Sequence, residues 1–348
     1  MRKMGNDLGA LTGLRFFAAT YVLLFHSGAG YLSEVGAHAS LVTFLQNGFM
    51  GVSLFFILSG FVLTYAHFRG LDSIHKYALA RFGRIYPVYC LALLMAYPFA
   101  NDKSIADVIS EVLLVQAWAR SNYAGPGTLI NTPSWTLSVE FVFYLLFPIL
   151  LFLTARCSVA TLSRALVFVA LLLLIWHTSV PYAWDATYVF LPEWITIPFC
   201  RIFEFIFGIL LCRWTYSSDR TSALIGRERW LILNTIMIVA LLVIFKNPYV
   251  ISAVSVLFGV LIVQLATGSN WVTALLSNRF FRVLGGASYG IYIFQQPVRS
   301  ISLWLFDNHI VGRFAAPALL IAWSVAVFLY YEQPIRRWVT SGQKKAAP

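Results

Sequence analysis

Apolar residues run in blocks of about twenty from one end of this chain to the other, separated by short polar stretches, and a block of that length lets an α-helix cross the hydrocarbon of a bilayer. Ten such blocks stand at about 10–29, 48–66, 84–100, 135–155, 164–180, 196–212, 230–245, 249–267, 284–304 and 314–331. The pattern predicts an all-α polytopic membrane protein with about ten transmembrane helices. The whole of 1–348 reads as one integral-membrane domain with no fused soluble domain. The first block follows Arg2 and Lys3 and ends on small residues near Ala29, as a secretory signal would, but Arg15 interrupts its apolar run and favours an uncleaved span.

Charge orients these spans, because cytoplasmic loops near them collect Lys and Arg. With the N-terminus inside, 18 of the 25 basic residues fall on inner segments, Arg213 among them. Four (Lys103, Arg120, Lys246 and Arg313) fall on outer loops, and three (Arg15, Arg201 and Arg299) lie within spans. Both termini are therefore expected in the cytoplasm. Only 11% of the residues are charged and 59% are hydrophobic, which excludes an ordinary soluble domain and leaves no module for nucleic acid. The net charge of +11 belongs mostly to the inner face, where it attracts anionic lipid or a polyanionic substrate. Cys90, Cys157, Cys200 and Cys212 show neither C-x-x-C spacing nor a Cys/His cluster, so neither disulfide nor metal is expected.

Two segments stand outside the spans. The stretch 104–118, SIADVISEVLLVQAW, is too polar at its start to cross a bilayer and is expected to lie in the outer interface or to dip partway in. The run ARSNYAGPGTLINTPSW that follows is punctuated by Gly, Pro and Asn and reads as an outer loop. Trp118, Tyr123 and Trp135 either stack on sugar rings there or anchor the interface.

Several spans carry groups that the bilayer disfavours. Arg15 and His26 are eleven residues apart, about three full turns, so they share one helix face about 16.5 Å apart along the axis. They fit a path through the membrane, or else a snorkelling arginine and a hydrogen-bonded packing histidine. Arg81 and Arg84, at the start of the third span beside His75 and Lys76, either hold phosphate oxygens with paired guanidinium forks or simply anchor the inner face. Arg201 and Glu204 stand i, i+3 and can neutralise one another. Glu140 has no basic residue within a turn, so it either finds a partner elsewhere, with His26 or an intramembrane Arg as candidates, or is protonated. Ser53, Ser59 and Gly60 mark the second span, and Gln295, Gln296 and Arg299 the ninth. The tail "YYEQPIRR" brings Glu332 to the inner boundary.

Taken in order, these stretches resemble the acyltransferase 3 family of membrane-bound acyltransferases, which includes bacterial O-acetyltransferases of surface polysaccharides. The resemblance rests on R-x10-H (Arg15, His26), G-V-x-L-F-F-x-L-S-G-F (Gly51 to Phe61), R-x-x-R (Arg81, Arg84), W-x-L-x-x-E (Trp135 to Glu140), R-x-x-E-F (Arg201 to Phe205) and S-Y-G-I-Y-x-x-x-x-P (Ser288 to Pro297). Each motif alone is weak, and six in sequence order are strong.

The resemblance implies transfer of an acyl group, usually acetyl, from cytoplasmic acyl-CoA as co-substrate to a hydroxyl of a polysaccharide or lipid-linked oligosaccharide. The setting it implies is a bacterial plasma (inner) membrane, with separate polysaccharide-biosynthesis proteins as further partners. It assigns catalysis to His26 and Arg15, beside which Glu140 is a candidate, and makes the R-x-x-R arginines functionally required. Arg81, Arg84 and Lys76 would hold the CoA phosphates. Ser59, Arg201, Glu204, Gln295, Arg299 and Trp135 are the candidate acceptor-binding residues. His26 suits a general base, and Arg15, Arg201 and Arg299 are the cations available to a thioester oxyanion; a covalent acyl-His26 is the competing mechanism.

The sequence departs from the family at Gln295, where a His is frequent, and at Ser53, where an Asp is common. The extracytoplasmic esterase-like domain of some relatives is not expected here. Rival readings are a transporter or flippase of a lipid-linked sugar, or an acyltransferase with a lipid or protein acceptor.

Overall fold

The computed structural model describes residues 8–28, 32, 36–100, 104–119, 129–179, 197–217, 227–246, 248–306 and 309–345. The expectations for Arg2, Lys3, Ala29, Lys103, Arg120, Tyr123 and Arg220 concern residues outside this set, as does the side chain of Trp118. Every regular element among the described residues is helical. The first half of the chain holds α1 (Gly9–Ser27), α2 (Ala39–Gln46), α3 (Met50–Ala66), α4 (Ile74–Ala96), α5 (Ile105–Val112), α6 (Gln116–Ala119), α7 (Trp135–Ala155) and α8 (Val159–Ser179). The second half holds α9 (Ile197–Ser217), α10 (Glu228–Ile244), α11 (Pro248–Thr267), α12 (Trp271–Leu276), α13 (Arg279–Gly286), α14 (Ser288–Ile293), α15 (Gln295–Leu305), α16 (His309–Val327) and α17 (Gln333–Lys345).

Among the described residues, five helical runs are long and apolar enough to cross a membrane: Gly9–Ser27, Ala39–Ala66, Ile74–Phe99, Thr132–Ala155 and Ala315–Val339. Val159–Ile175 and Ser252–Thr267 are shorter apolar helices. Two expected spans depart from a plain apolar rod. The one at 196–212 is the 21-residue α9, which carries Arg201, Glu204 and Arg213. The one at 284–304 is interrupted, with α14 ending at Ile293 and α15 starting at Gln295. Pro297 stands in the first turn of α15, where its missing N–H has no intrahelical partner to lose.

The chain divides into two compact units, residues 1–70 with 146–285 and residues 71–145 with 286–348. In the first unit the most extensive helix contact is between α3 and α9. Glycine makes it possible, because a methyl at Gly60 would strike the carbonyl oxygen of Phe205 and one at Gly208 would strike that of Ile57. The two backbones therefore touch, and dispersion between them replaces side-chain interdigitation. α1 lies against α3, with Leu14, Ala18 and Val22 buried on its inner side.

In the second unit α4 begins at Ile74, ten residues before the expected span, because Ser73 caps it by accepting the N–H of Lys76 at 3.4 Å. Hydropathy marks only the apolar part of such a helix, whereas its exposed basic turns extend it toward the N-terminus. Arg81 and Arg84 thus lie about two turns inside α4 rather than at its start. α5 has eight residues, about 12 Å of rise, and so is far too short to cross a bilayer. Between α16 and α17 the chain makes a π-helical turn over Phe328–Glu332. Pro334 follows at the second position of α17 and has no N–H to continue an i→i−4 ladder, which accounts for the wider turn before it.

The α3–α9 contact generates a stability prediction. Gly208→Val forces two backbones apart and is expected to cost about 3 kcal/mol, read as a fall in the melting temperature of the detergent-solubilised protein. Phe168→Ala, on an α8 residue 62% exposed, is expected to leave that temperature nearly unchanged. Equal effects from the two substitutions would show that the glycine contact does not hold the unit together.

Candidate functional site

In the first unit α1 is helical without interruption from Gly9 to Ser27, so the eleven-residue step from Arg15 to His26 is taken along one helix. Arg15 is half-buried, and His26 is exposed in the last turn with its ring edge-on to Phe25 at 4.8 Å between centroids. On α9, Arg201 Nη1 lies 3.2 Å from Glu204 Oε1, with both side chains nearly sealed from solvent. Arg201 Nη2 donates to the Ser53 hydroxyl at 3.3 Å, and its guanidinium lies over the Phe56 ring at 5.2 Å. The i, i+3 spacing thus closes as an ion pair, and Ser53 reaches that pair from α3. Ser59 is buried on the same helix.

Arg213 is a correction to the charge assignment. It is not an inner-loop cation but a buried residue of α9. Its guanidinium donates to the carbonyls of Phe68 at 2.7 Å and Leu151 at 3.4 Å and lies 4.7 Å over the Phe68 ring. It supplies donors where the chain leaves α3 and has carbonyls to satisfy.

In the second unit Arg84 forms an ion pair with Glu332, and Arg336 reaches the same carboxylate oxygen at 3.5 Å. Arg84 lies over the Tyr289 ring at 6.0 Å and Arg81 over the Tyr144 ring at 5.9 Å. The Tyr144 hydroxyl donates to Glu140 Oε2 at 3.2 Å, and the Tyr77 hydroxyl donates to the Tyr144 carbonyl at 2.9 Å. Arg81 and Glu140 therefore share Tyr144 as a neighbour, while Lys76 is exposed near the start of α4. Sequence reading left Tyr144, Tyr289 and Arg336 out of the site and placed Glu332 only at a boundary. The S-Y-G-I-Y motif and the basic tail were the signals available for them.

A second polar cluster fixes the loop that leads into α7. Glu111, 1% exposed, accepts from the N–H of Ile130, from the N–H of Asn131 at 3.4 Å and from the Ser134 hydroxyl at 3.2 Å. Gln116 donates to the Ser134 carbonyl and hydroxyl, both at 3.1 Å. From the loop, Asn131 Nδ2 donates to the Ile293 carbonyl at 3.0 Å, at the end of α14. Gln296 accepts the Thr132 N–H at 2.6 Å and donates to the Ile130 carbonyl at 3.2 Å. The backbone groups freed where α14 gives way to α15 are thus met by the loop that sets the half-buried Trp135 at the head of α7. Gln295 is buried and donates to the Tyr292 carbonyl at 2.8 Å, and Arg299 is exposed on α15. Glu111 sits in a segment whose sequence shows only an amphipathic short helix, so its role was not visible there.

Arg15, His26, Ser59, Arg201 and Glu204 belong to the first unit, and Lys76, Arg81, Arg84, Trp135, Glu140, Gln295 and Arg299 to the second. Among the described residues, Cys90, Cys157 and Cys212 are free thiols, and no three His, Cys, Asp or Glu side chains group so as to hold a metal ion.

Residues 8–332 match the family described as "Acyltransferase domain". The chain is 37% identical to Acyltransferase MdmB of Streptomyces mycarofaciens over 41% of its own length and 38% of the relative's. It is 22% identical to Peptidoglycan O-acetyltransferase OatA of Listeria monocytogenes over 94% of its own length and 56% of the relative's. To O-acetyltransferase OatA of Staphylococcus aureus it is 27% identical over 47% of its own length and 28% of the relative's. The matched stretch thus takes in little more than half of these relatives' own length, or less. No solved structure matches the chain.

Two of the buried carboxylates, Glu204 and Glu111, generate separate predictions. Arg201→Met leaves Glu204 buried without its cation and is expected to cost about 3–5 kcal/mol, whereas Arg201→Met with Glu204→Leu restores most of that stability. Thermal unfolding reads the recovery, and a double variant as unstable as the single one contradicts it. Glu111→Ala removes the acceptor for three donors and is expected to cost about 3 kcal/mol, Glu111→Gln less. Unchanged melting in Glu111→Ala would mean that the loop holds itself.

Proposed function

Because the chain belongs to the acyltransferase 3 family, we propose that it moves an acyl group, acetyl in the first instance, from cytoplasmic acyl-CoA to a hydroxyl of an extracytoplasmic or lipid-linked glycan. The observation that carries this reading is the single unbroken helix α1, which holds Arg15 and His26 eleven residues apart in a chain of this family. Further support comes from the Listeria and Staphylococcus relatives, which are named O-acetyltransferases, the Listeria protein one of peptidoglycan, where the sequence reading pointed to surface polysaccharide. The matching topology has about ten spans, with both termini and the N-terminal end of α4 in the cytoplasm.

The reaction needs a base, because a sugar hydroxyl is a poor nucleophile while it keeps its proton. Neutral His26 takes that proton as the oxygen attacks the thioester carbonyl. The C–O bond forms, the tetrahedral oxyanion collapses, the C–S bond breaks, and the CoA thiolate leaves and is protonated. Arg15 is the cation assigned to the oxyanion, where a fixed donor acts in the transition state. Arg81, Arg84 and Lys76 hold the donor's phosphates, for which planar guanidinium forks are suited. Trp135, Gln295, Arg299, Ser59, Arg201 and Glu204 are assigned to the acceptor, and Glu140 is a further candidate for catalysis.

Purified protein in nanodiscs, given acetyl-CoA and soluble peptidoglycan fragments, is expected to release CoA only when the fragments are present. His26→Ala is expected to lower kcat on the order of 10²–10⁴-fold while acetyl-CoA still binds. Arg81→Ala is expected to raise the acetyl-CoA KM about 10-fold or more. Movement of a lipid-linked sugar across the membrane with no CoA release would replace this reading by transport.

A further inference from the structure

The second unit places a polar junction well inside the length of α4. The Tyr86 hydroxyl donates to the Val112 carbonyl at 2.5 Å and the Tyr89 hydroxyl to the Glu111 carbonyl at 2.7 Å, so the end of α5 meets α4 beside these tyrosines. Tyr89 stands ten residues before Phe99, where the apolar run that begins with α4 ends, or about 15 Å along the axis. α5 therefore dips alongside α4 instead of lying across its end. Glu111 holds the loop before α7, and that loop holds the break between α14 and α15. From α14, the Tyr289 hydroxyl donates to the Ile85 carbonyl at 3.0 Å, again well inside α4. Irregular backbone at such a depth among apolar helices persists where protein or a bound molecule meets its polar groups.

Three amides of this junction are only half used. Gln116 donates to the Ser134 carbonyl and hydroxyl, Asn131 to the Ile293 carbonyl and Gln295 to the Tyr292 carbonyl. Each NH2 end is thus committed to a backbone carbonyl, and turning the amide over would set its oxygen against that carbonyl. The other ends, Gln116 Oε1, Asn131 Oδ1 and Gln295 Oε1, are buried and accept nothing among the described residues. The three residues are 3%, 0% and 6% exposed, so bulk water does not meet these oxygens. They are joined by one run of contacts: Gln116 bonds to Ser134, the Ser134 N–H donates to the Asn131 carbonyl at 2.9 Å, and Asn131 bonds to Ile293, next to Tyr292. An enclosed acceptor without a donor is unfavourable, and three in one junction call for donors that the described residues do not supply. Gln296 is the contrast, because both ends of its amide are bonded to the loop.

We propose that Gln116, Asn131 and Gln295 form a binding site for hydroxyl groups of the acceptor, each amide oxygen accepting one hydroxyl proton. The proposal rests on the glycan-acceptor reading above and adds Gln116, Asn131 and the chemistry that the three oxygens select. A hydroxyl suits them better than an ammonium or a metal ion, because a charged group is stripped of its water at this depth whereas an alcohol has no charge to desolvate. The Glu111 carboxylate is turned toward the N–H groups of Ile130 and Asn131 and the Ser134 hydroxyl, and donors so placed disfavour a cation. Trp135 follows Ser134 directly and is half-buried, an aromatic surface that suits the C–H face of a sugar. Because the oxygens are enclosed, the hydroxyls reach them as side chains turn, while Gln296 keeps the backbone in place.

The full chain in nanodiscs is titrated calorimetrically with the repeat disaccharide of peptidoglycan and with analogues in which one hydroxyl at a time is replaced by hydrogen. Wild type is expected to bind at least one analogue about 10-fold or more weakly than the parent sugar. Gln116→Met and Asn131→Leu are expected to bring that ratio close to one by weakening the parent alone. Gln296→Met is expected to lower the melting temperature and keep the wild-type ratio, as a merely structural amide does. Wild type that binds parent and analogues equally, or binds none of them, overturns the proposal, and so does a wild-type ratio kept in Gln116→Met. Thermal stabilisation by sodium or potassium chloride that is lost in Gln116→Met assigns the oxygens to a cation and also overturns it. If neither variant folds, Gln295→Met decides: a ratio near one supports the site, and the wild-type ratio overturns it. CoA release is read separately. Discrimination among the sugars without any CoA release overturns the acyl-transfer reading and leaves the hydroxyl site standing, whereas CoA release with equal binding of every analogue overturns the site alone.

Discussion

An ion inside a low-dielectric helix bundle has to be neutralised by another part of the protein, because the cost of stripping its water is several kcal/mol even after relaxation. The buried ions of this chain are organised around that constraint. Arg201 is matched by Glu204 one turn away, and Glu332 by Arg84 from a helix some 250 residues distant in sequence. Arg213 is met by two backbone carbonyls and an aromatic face instead of a carboxylate. Glu111 is met by backbone N–H groups and a hydroxyl. Each solution couples segments that hydropathy alone would leave independent.

The four solutions differ in what else they can do. Arg201–Glu204 and Glu111 are nearly sealed from solvent, the pair reaching Ser53 of α3 and Glu111 the loop before α7. The Arg84–Glu332 pair is different, because the Arg84 and Arg336 side chains that meet the buried carboxylate are themselves partly exposed.

Backbone polar groups obey the same constraint as charges. Where α14 stops and α15 begins, the freed Ile293 carbonyl is met by Asn131, and Gln296 holds the backbone on either side of that asparagine. A helix interruption next to Gln295 and Arg299 is therefore rigid, and the groups it exposes or buries are set by a loop from elsewhere in the unit. Gln295 is an amide that cannot titrate, and it is bonded to the Tyr292 carbonyl. Gln295 therefore cannot act as a second base in the proposed reaction.

By itself the sequence determined the all-helical class, the apolar membrane character, the Arg15–His26 register and the Arg201–Glu204 pair. All of these follow from period, length and i, i+3 or i, i+11 spacing, which are properties of one helix at a time. The six motifs in order also identified the family. Only the tertiary structure decided that Arg84 spends its charge on Glu332, that Arg213 is buried, that Tyr144 stands between Arg81 and Glu140, and that Glu111 holds the loop ahead of Trp135. It also decided where the ninth apolar block breaks and how far α4 extends beyond its apolar part. These outcomes depend on which helices lie side by side, and hydropathy, which registers the preference of each segment for lipid, contains no term for the partner a buried polar group will find.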